Sequence, residues 1–103
     1  MSDKYAEADR LEQQFILQRM KNGAHLYVAD QPYGPDSDKY TWTASLTSSA
    51  IRNLGGRQVM GRDLKTMQER HWIAYDRALD EFILTDDGRA VANEAESKRT
   101  TNP

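Results

Sequence analysis

Apolar and polar residues repeat along this chain with two periods, and the changes of period mark its elements. From Asp3 to about Lys21, Tyr5, Ala8, Leu11, Phe15 and Met20 recur at spacings of three to five. Glu7, Asp9, Gln13, Gln14 and Gln18 stand between them, which predicts a long helix with an apolar side. Ser2 or Asp3 can cap its start, and Asn22-Gly23 can end it, because glycine accepts the left-handed conformation of a C-terminal cap. Ile16 and Leu17 widen the stripe beyond one side. That width has two readings: a broadly buried core helix, or the seam of a homodimer.

His25-Leu26-Tyr27-Val28 is short and rich in strand formers. Asp30 to Asp38 then carries two prolines, a glycine and three aspartates, the composition of a solvated loop. Tyr40-Thr41-Trp42-Thr43-Ala44 alternates aromatic and hydroxyl residues, as a half-buried strand does. These two strands are expected to pair across the loop, or the second to dock against a later hairpin. Tyr33, Tyr40 and Trp42 are expected to finish a small core rather than to line a ligand pocket.

The next stretch predicts two short helices. Ser45 or Thr47 can cap the first, with Leu46, Ala50, Ile51 and Leu54 facing one way until Gly55-Gly56. Arg57-Gln58-Val59-Met60-Gly61 makes the turn. A second helix starts near Gly61 or Arg62, and together they read as a helix-turn-helix over about residues 46–71. Met60, Leu64, Met67 and His71 share the inner face of that second helix, with His71 expected as a packed core residue. Arg62, Lys65, Thr66, Glu69 and Arg70 face outward. Ile73, Tyr75 and Leu79 alternate with small and polar residues, Asp80-Glu81 turns the chain, and Phe82 and Leu84 resume the inward face. This is a two-stranded wing over about 72–85. Thr85 caps a last helix, with Asp86 and Asp87 placed where its dipole favours acids and with Val91, Ala92 and Ala95 able to pack inward. Residues 97–103 have nothing to bury and read as a flexible tail. The fold class expected is α+β, a single winged-helix domain over 1–96.

At 103 residues, with 38% hydrophobic and 29% charged side chains, the chain is the size of one rather polar domain. It contains no cysteine, which excludes disulfides and thiolate metal sites and is compatible with a cytoplasmic setting. The start has no basic head followed by an apolar core, so no signal peptide is expected. No apolar run approaches the roughly 20 residues of a membrane span. The net charge of −2 argues against a protein that coats nucleic acid indiscriminately. Its distribution is uneven, at −2 over residues 1–46, +3 over 47–79 and −3 over 80–103. The positive third holds the expected helix-turn-helix, where a phosphate-binding footprint belongs.

Catalytic chemistry is not visible. His25 and His71 are far apart and have no second ligand at helical or hairpin spacing. Gly55-Gly56 lacks the lysine-serine pair of a phosphate loop, and no nucleophile stands beside its own base. Asp80-Glu81 and Asp86-Asp87 have structural reasons for their positions. Neither enzyme activity, a metal nor a cofactor is expected.

Leu64, Met67, Trp72-Ile73 and Phe82-Ile83-Leu84-Thr85-Asp86-Asp87-Gly88-Arg89 resemble the winged-helix repressors of the antibiotic-resistance and phenolic-acid families. The resemblance covers about residues 46–95, and its most specific part is Leu84 to Arg89. It implies duplex DNA as the partner, a homodimer and a role in transcription regulation. The second helix would enter the major groove with Arg62, Lys65 and Thr66, and Gln58 at its mouth. Ser48, Ser49, Arg52, Arg57 and Arg70 would meet backbone phosphates, and Arg77 is the only basic group of the wing. Two features depart from these families: His71-Trp72 replaces the glycine before the strand, and Asp80-Glu81 makes the wing tip acidic. The alternative is a protein-interaction module whose first helix and acidic wing dock a protein partner.

Overall fold

The computed structural model describes the backbone of residues 3–31, 42–49 and 56–100, with side chains from Arg10 to Ser97 within those ranges. The elements are α1 (Asp3–Lys21), β1 (His25–Asp30), β2 (Thr43–Thr47), β3 (Arg57–Val59), α2 (Gly61–Glu69), β4 (Ile73–Asp76), β5 (Glu81–Leu84) and α3 (Asp86–Thr100). The strands form one antiparallel sheet in the order β3-β2-β1-β5-β4. The α+β class expected from the periodicity is therefore what the chain adopts.

Directly opposed residues of antiparallel strands share a face. Leu26 opposes both Leu46 and Phe82, Ala44 opposes Val28 and Val59, and Ile73 opposes Leu84. These residues make one apolar face, and Ile16, Leu17 and Met20 of α1, Leu64 and Met67 of α2 and Ala92 of α3 complete the core on it. Trp42, fully buried, sits edge-on to Tyr75 at 5.1 Å and tilted to Phe82 at 6.0 Å. It finishes the core as expected; Tyr33 and Tyr40 lie outside the described residues. Such aromatic packing adds about 0.5–1.5 kcal/mol per pair beyond area burial.

The core reading of Ile16 and Leu17 holds, since both are inaccessible. The buried side of α1 is turned from the one expected: Gln13, Ile16, Leu17 and Met20 face in, whereas Leu11 (56% exposed) and Phe15 (36%) face out. At its end Gly23 takes φ 102°, its N–H donates to Met20 O, and that of Ala24 donates to Arg19 O. This is the glycine-terminated cap that Asn22-Gly23 predicts. Lys21 Nζ, 2.9 Å from Glu96 Oε1, ties α1 to α3.

Three expectations are corrected. The helix expected from Ser45 does not form at its start, because Ser45, Leu46 and Thr47 continue β2. Thr43 to Thr47 alternates polar and apolar side chains with period two, and β1 and β3 supply the hydrogen-bonding partners that a two-turn helix would lack. Ser48 and Ser49 form a bend, and Ala50, Ile51, Arg52 and Leu54 lie outside the described residues. The expected turn Arg57-Gln58-Val59 is β3, paired with β2. Third, α3 runs through Thr100, past the point where its apolar positions end. Among the described residues no helix is long and apolar enough to cross a membrane.

Candidate nucleic-acid interface

The expected second helix forms as α2, with Leu64 and Met67 fully buried beneath it. Met60, expected on the inner face, is instead exposed at the N-cap. His71 is also a correction: it is exposed, not packed in the core. The helix ends at Glu69 with Arg70 as its cap, and His71 takes φ 63°. Its N–H donates to Gln68 O (3.0 Å) while that of Trp72 donates to Met67 O (2.9 Å). This is the hydrogen-bond pattern of a Schellman cap, with histidine in the left-handed position usually given to glycine. The turn where a glycine was expected is thus built by His71 itself.

That turn is held by the start of α3. Thr85 N–H donates to Trp72 O (3.0 Å), the Thr85 hydroxyl donates to His71 O, and the same hydroxyl accepts the N–H of Gly88 (3.0 Å). A Cβ on Gly88 would collide with the Trp72 carbonyl. The Leu84-Thr85-Asp86-Asp87-Gly88 segment therefore has a structural role, joining the end of α2, the entry to β4 and the start of α3.

The tip of the β4–β5 hairpin also differs from its sequence reading. The chain turns at 77–80, and Leu79, expected inward, is 54% exposed beside exposed Arg77 and Ala78. The carboxylates turn back. Asp76 Oδ1 accepts the N–H groups of Ala78 (3.0 Å) and Leu79 (3.2 Å). Asp80 Oδ1 accepts the Tyr75 hydroxyl at 2.7 Å and Gln31 Nε2 at 3.1 Å, at a residue with φ 54°. Glu81 is a β5 residue, not a tip residue, and faces His25, whose Nδ1 is 3.4 Å from Glu81 Oε1. Burial, and then the Asp80 hydrogen bond, push the Tyr75 phenol above its ordinary pKa.

The expected contact residues divide into groups. Arg62, exposed, and Lys65 and Thr66, half-buried, stand on α2. Arg70 closes that helix with its guanidinium 5.2 Å from the Trp72 ring centroid, and Arg77 is at the hairpin tip. Asp63, in the same helix, is buried and accepts Gln13 Nε2 at 3.1 Å. Ser48, Ser49 and Arg57 meet elsewhere, around a cavity between α1 and the β2–β3 end of the sheet. Arg57 is engaged there by Glu12 through a fork of 2.6 and 3.1 Å and lies 5.0 Å over the Phe15 ring. Gln58 is exposed on the sheet face opposite the core, since it opposes Ser45 rather than Ala44 or Leu46. Arg52 lies outside the described residues.

Glu12, Gln13 and Gln31, the partners of Arg57, Asp63 and Asp80, carry no sequence signal, because each pair joins residues 45 or more apart. Among the described residues no three His, Asp or Glu side chains gather as metal ligands would. Comparison with protein-family models, with curated proteins and with solved structures finds no match for this chain.

Proposed function

We propose that this protein binds duplex DNA as a small winged-helix transcriptional regulator or accessory factor acting in the cytoplasm. In this reading α2 enters the major groove and the β4–β5 hairpin lies alongside. The disposition of charge over 61–80 carries it. Arg62, Lys65, Arg70 and Arg77 stand against Asp63, Glu69, Asp76 and Asp80, which cancel in number. Three of the four carboxylates accept hydrogen bonds from groups of the fold itself, and Glu69 is exposed. Basic side chains on the groove helix and at the hairpin tip are what phosphate contact requires. The strand order β1-β5-β4, with α2 leading into β4, suits a wing. β2 takes the first residues expected of the first helix and β3 takes the expected turn, so the reading rests on α2 and the hairpin.

Binding to random duplex across a salt series tests it. Affinity should fall steeply with added salt, and no binding at low salt overturns the reading. A size measurement on the same sample reads the homodimer that accompanies it. The second reading, a protein-interaction module, is supported by exposed Leu11 and Phe15 on α1. A complex that survives alanine at both Arg62 and Lys65 would favour it.

A further inference from the structure

The cavity beside Phe15 stands on elements other than α2 and the β4–β5 hairpin, on which the duplex reading rests. It measures about 310 Å³ and lies where α1 passes the end of β2 and the start of β3. Phe15 and Leu46 give it apolar lining, Ser48 and Ser49 give it hydroxyls, and Arg19 and Arg57 bring guanidinium groups from separate elements. The Ser48–Ser49 bend is fixed, because the Ser49 N–H donates to Thr47 Oγ1 at 3.1 Å. Arg57 is held in place by Glu12 and by the Phe15 face. That fork uses two of the five guanidinium N–H donors and leaves three. Among the described residues lining the cavity the charged ones are Arg19 and Arg57, with the Glu12 carboxylate on Arg57.

We propose that this cavity binds a small phosphomonoester, its phosphate taken by Arg19, Arg57 and the serine hydroxyls and its body laid against Phe15 and Leu46. The donors exceed what the two oxygens of a carboxylate can accept, whereas a phosphomonoester brings three acceptor oxygens and close to two charges at neutral pH. The volume is at the lower end of ligand cavities, which limits the body to roughly the size of a nucleoside. The site stands on residues other than Arg62, Lys65 and Arg77, so its failure and that of the duplex reading are separate.

Calorimetric titration of the full chain with adenosine 5′-monophosphate, inorganic phosphate and adenosine tests this. The monophosphate is expected to bind, inorganic phosphate to bind more weakly and compete with it, and adenosine alone not to bind. Arg19→Ala should weaken the monophosphate about tenfold or more, the effect of losing a charge-assisted hydrogen bond. Glu12→Gln, which removes the competing charge and keeps the shape, should tighten it roughly threefold to tenfold. Absence of monophosphate binding overturns the proposal, as does unchanged affinity in Arg19→Ala. Equal affinity for inorganic phosphate and the monophosphate overturns the assignment of Phe15 and Leu46 to the ligand's body.

Discussion

The carbonyl oxygen of Trp72 occupies the space that a side chain on Gly88 would need. The contact is backbone against backbone, so neither partner can rotate away. Gly88→Ala is expected to destabilise the fold by about 2–3 kcal/mol, the upper range for overpacking a closed site. Thr85→Val, which loses both the cap to Gly88 and the bond to His71 O, should cost about 1–2 kcal/mol, while Thr85→Ser should cost little. Urea midpoints at unchanged slope measure both. A stable Gly88→Ala protein would mean that α3 does not close on this turn.

The left-handed conformation of His71 makes the opposite prediction. An L-residue there costs about 1–2 kcal/mol that glycine does not, and glycine gives back part of this as extra freedom in the unfolded chain. His71→Gly is expected to stabilise by roughly 0.5–1 kcal/mol, read as a raised thermal midpoint. His71→Val should destabilise, because a β-branched residue is a poor occupant of positive φ.

Tyr75 sets an alkaline limit. Its phenol is raised in the folded state by burial and by the Asp80 hydrogen bond, while the unfolded phenol titrates near pH 10. The folded state then holds its proton more tightly. That stabilisation is complete below the unfolded pKa and is lost as pH rises through the folded value. The wild-type urea midpoint should fall above about pH 10 more steeply than that of Tyr75→Phe, which has no proton to lose. Parallel curves for the two proteins would remove Tyr75 as the cause.

Neighbouring residues of α1 fasten it to the β3–α2 segment in two ways of unequal strength. Gln13 bonds buried Asp63, and Glu12 bonds exposed Arg57. Gln13→Ala strips a donor from a buried carboxylate and should cost about 1–3 kcal/mol. Arg57→Ala removes an exposed ion pair and a cation–π contact, each worth about 1 kcal/mol or less. Denaturant titration should therefore rank Gln13→Ala as the more damaging, although its bond is the longer and less charged of the two.

How far the fold is legible depends on how local each decision is. The two outer helices and the hairpin are written in periodicity and in caps such as Asn22-Gly23 and Thr85-Asp86-Asp87-Gly88, whose partners lie within a few residues. Ser45-Leu46-Thr47 is not decided locally. It is both a plausible helix start and a plausible strand, and pairing to β1 and β3 settles it. β3 is a three-residue strand with no signal apart from its β2 partner. In the candidate interface the basic residues are legible, but what occupies them is not. Asp80 reads as a repelling tip until the hairpin brings Tyr75 to it and the β1–β5 pairing brings Gln31. Arg57 reads as a contact to the DNA backbone until α1 delivers Glu12 and sets it beside the Phe15 cavity.

This last difference makes the duplex reading testable residue by residue. Each lysine or arginine that neutralises a DNA phosphate contributes about 0.9 to the slope of log affinity against log salt. Arg62, Lys65 and Arg77 stand on α2 and at the hairpin tip, so alanine at each should weaken binding and lower that slope by roughly one. Arg57 is held by Glu12 of α1 beside the Phe15 cavity, not on α2 or the hairpin. Arg57→Ala should leave the slope unchanged even as it lowers stability slightly. A slope that drops for Arg57→Ala and not for Arg62→Ala or Lys65→Ala would move the phosphate-binding surface from α2 to the α1–β3 corner, because a slope counts the phosphate contacts formed on binding.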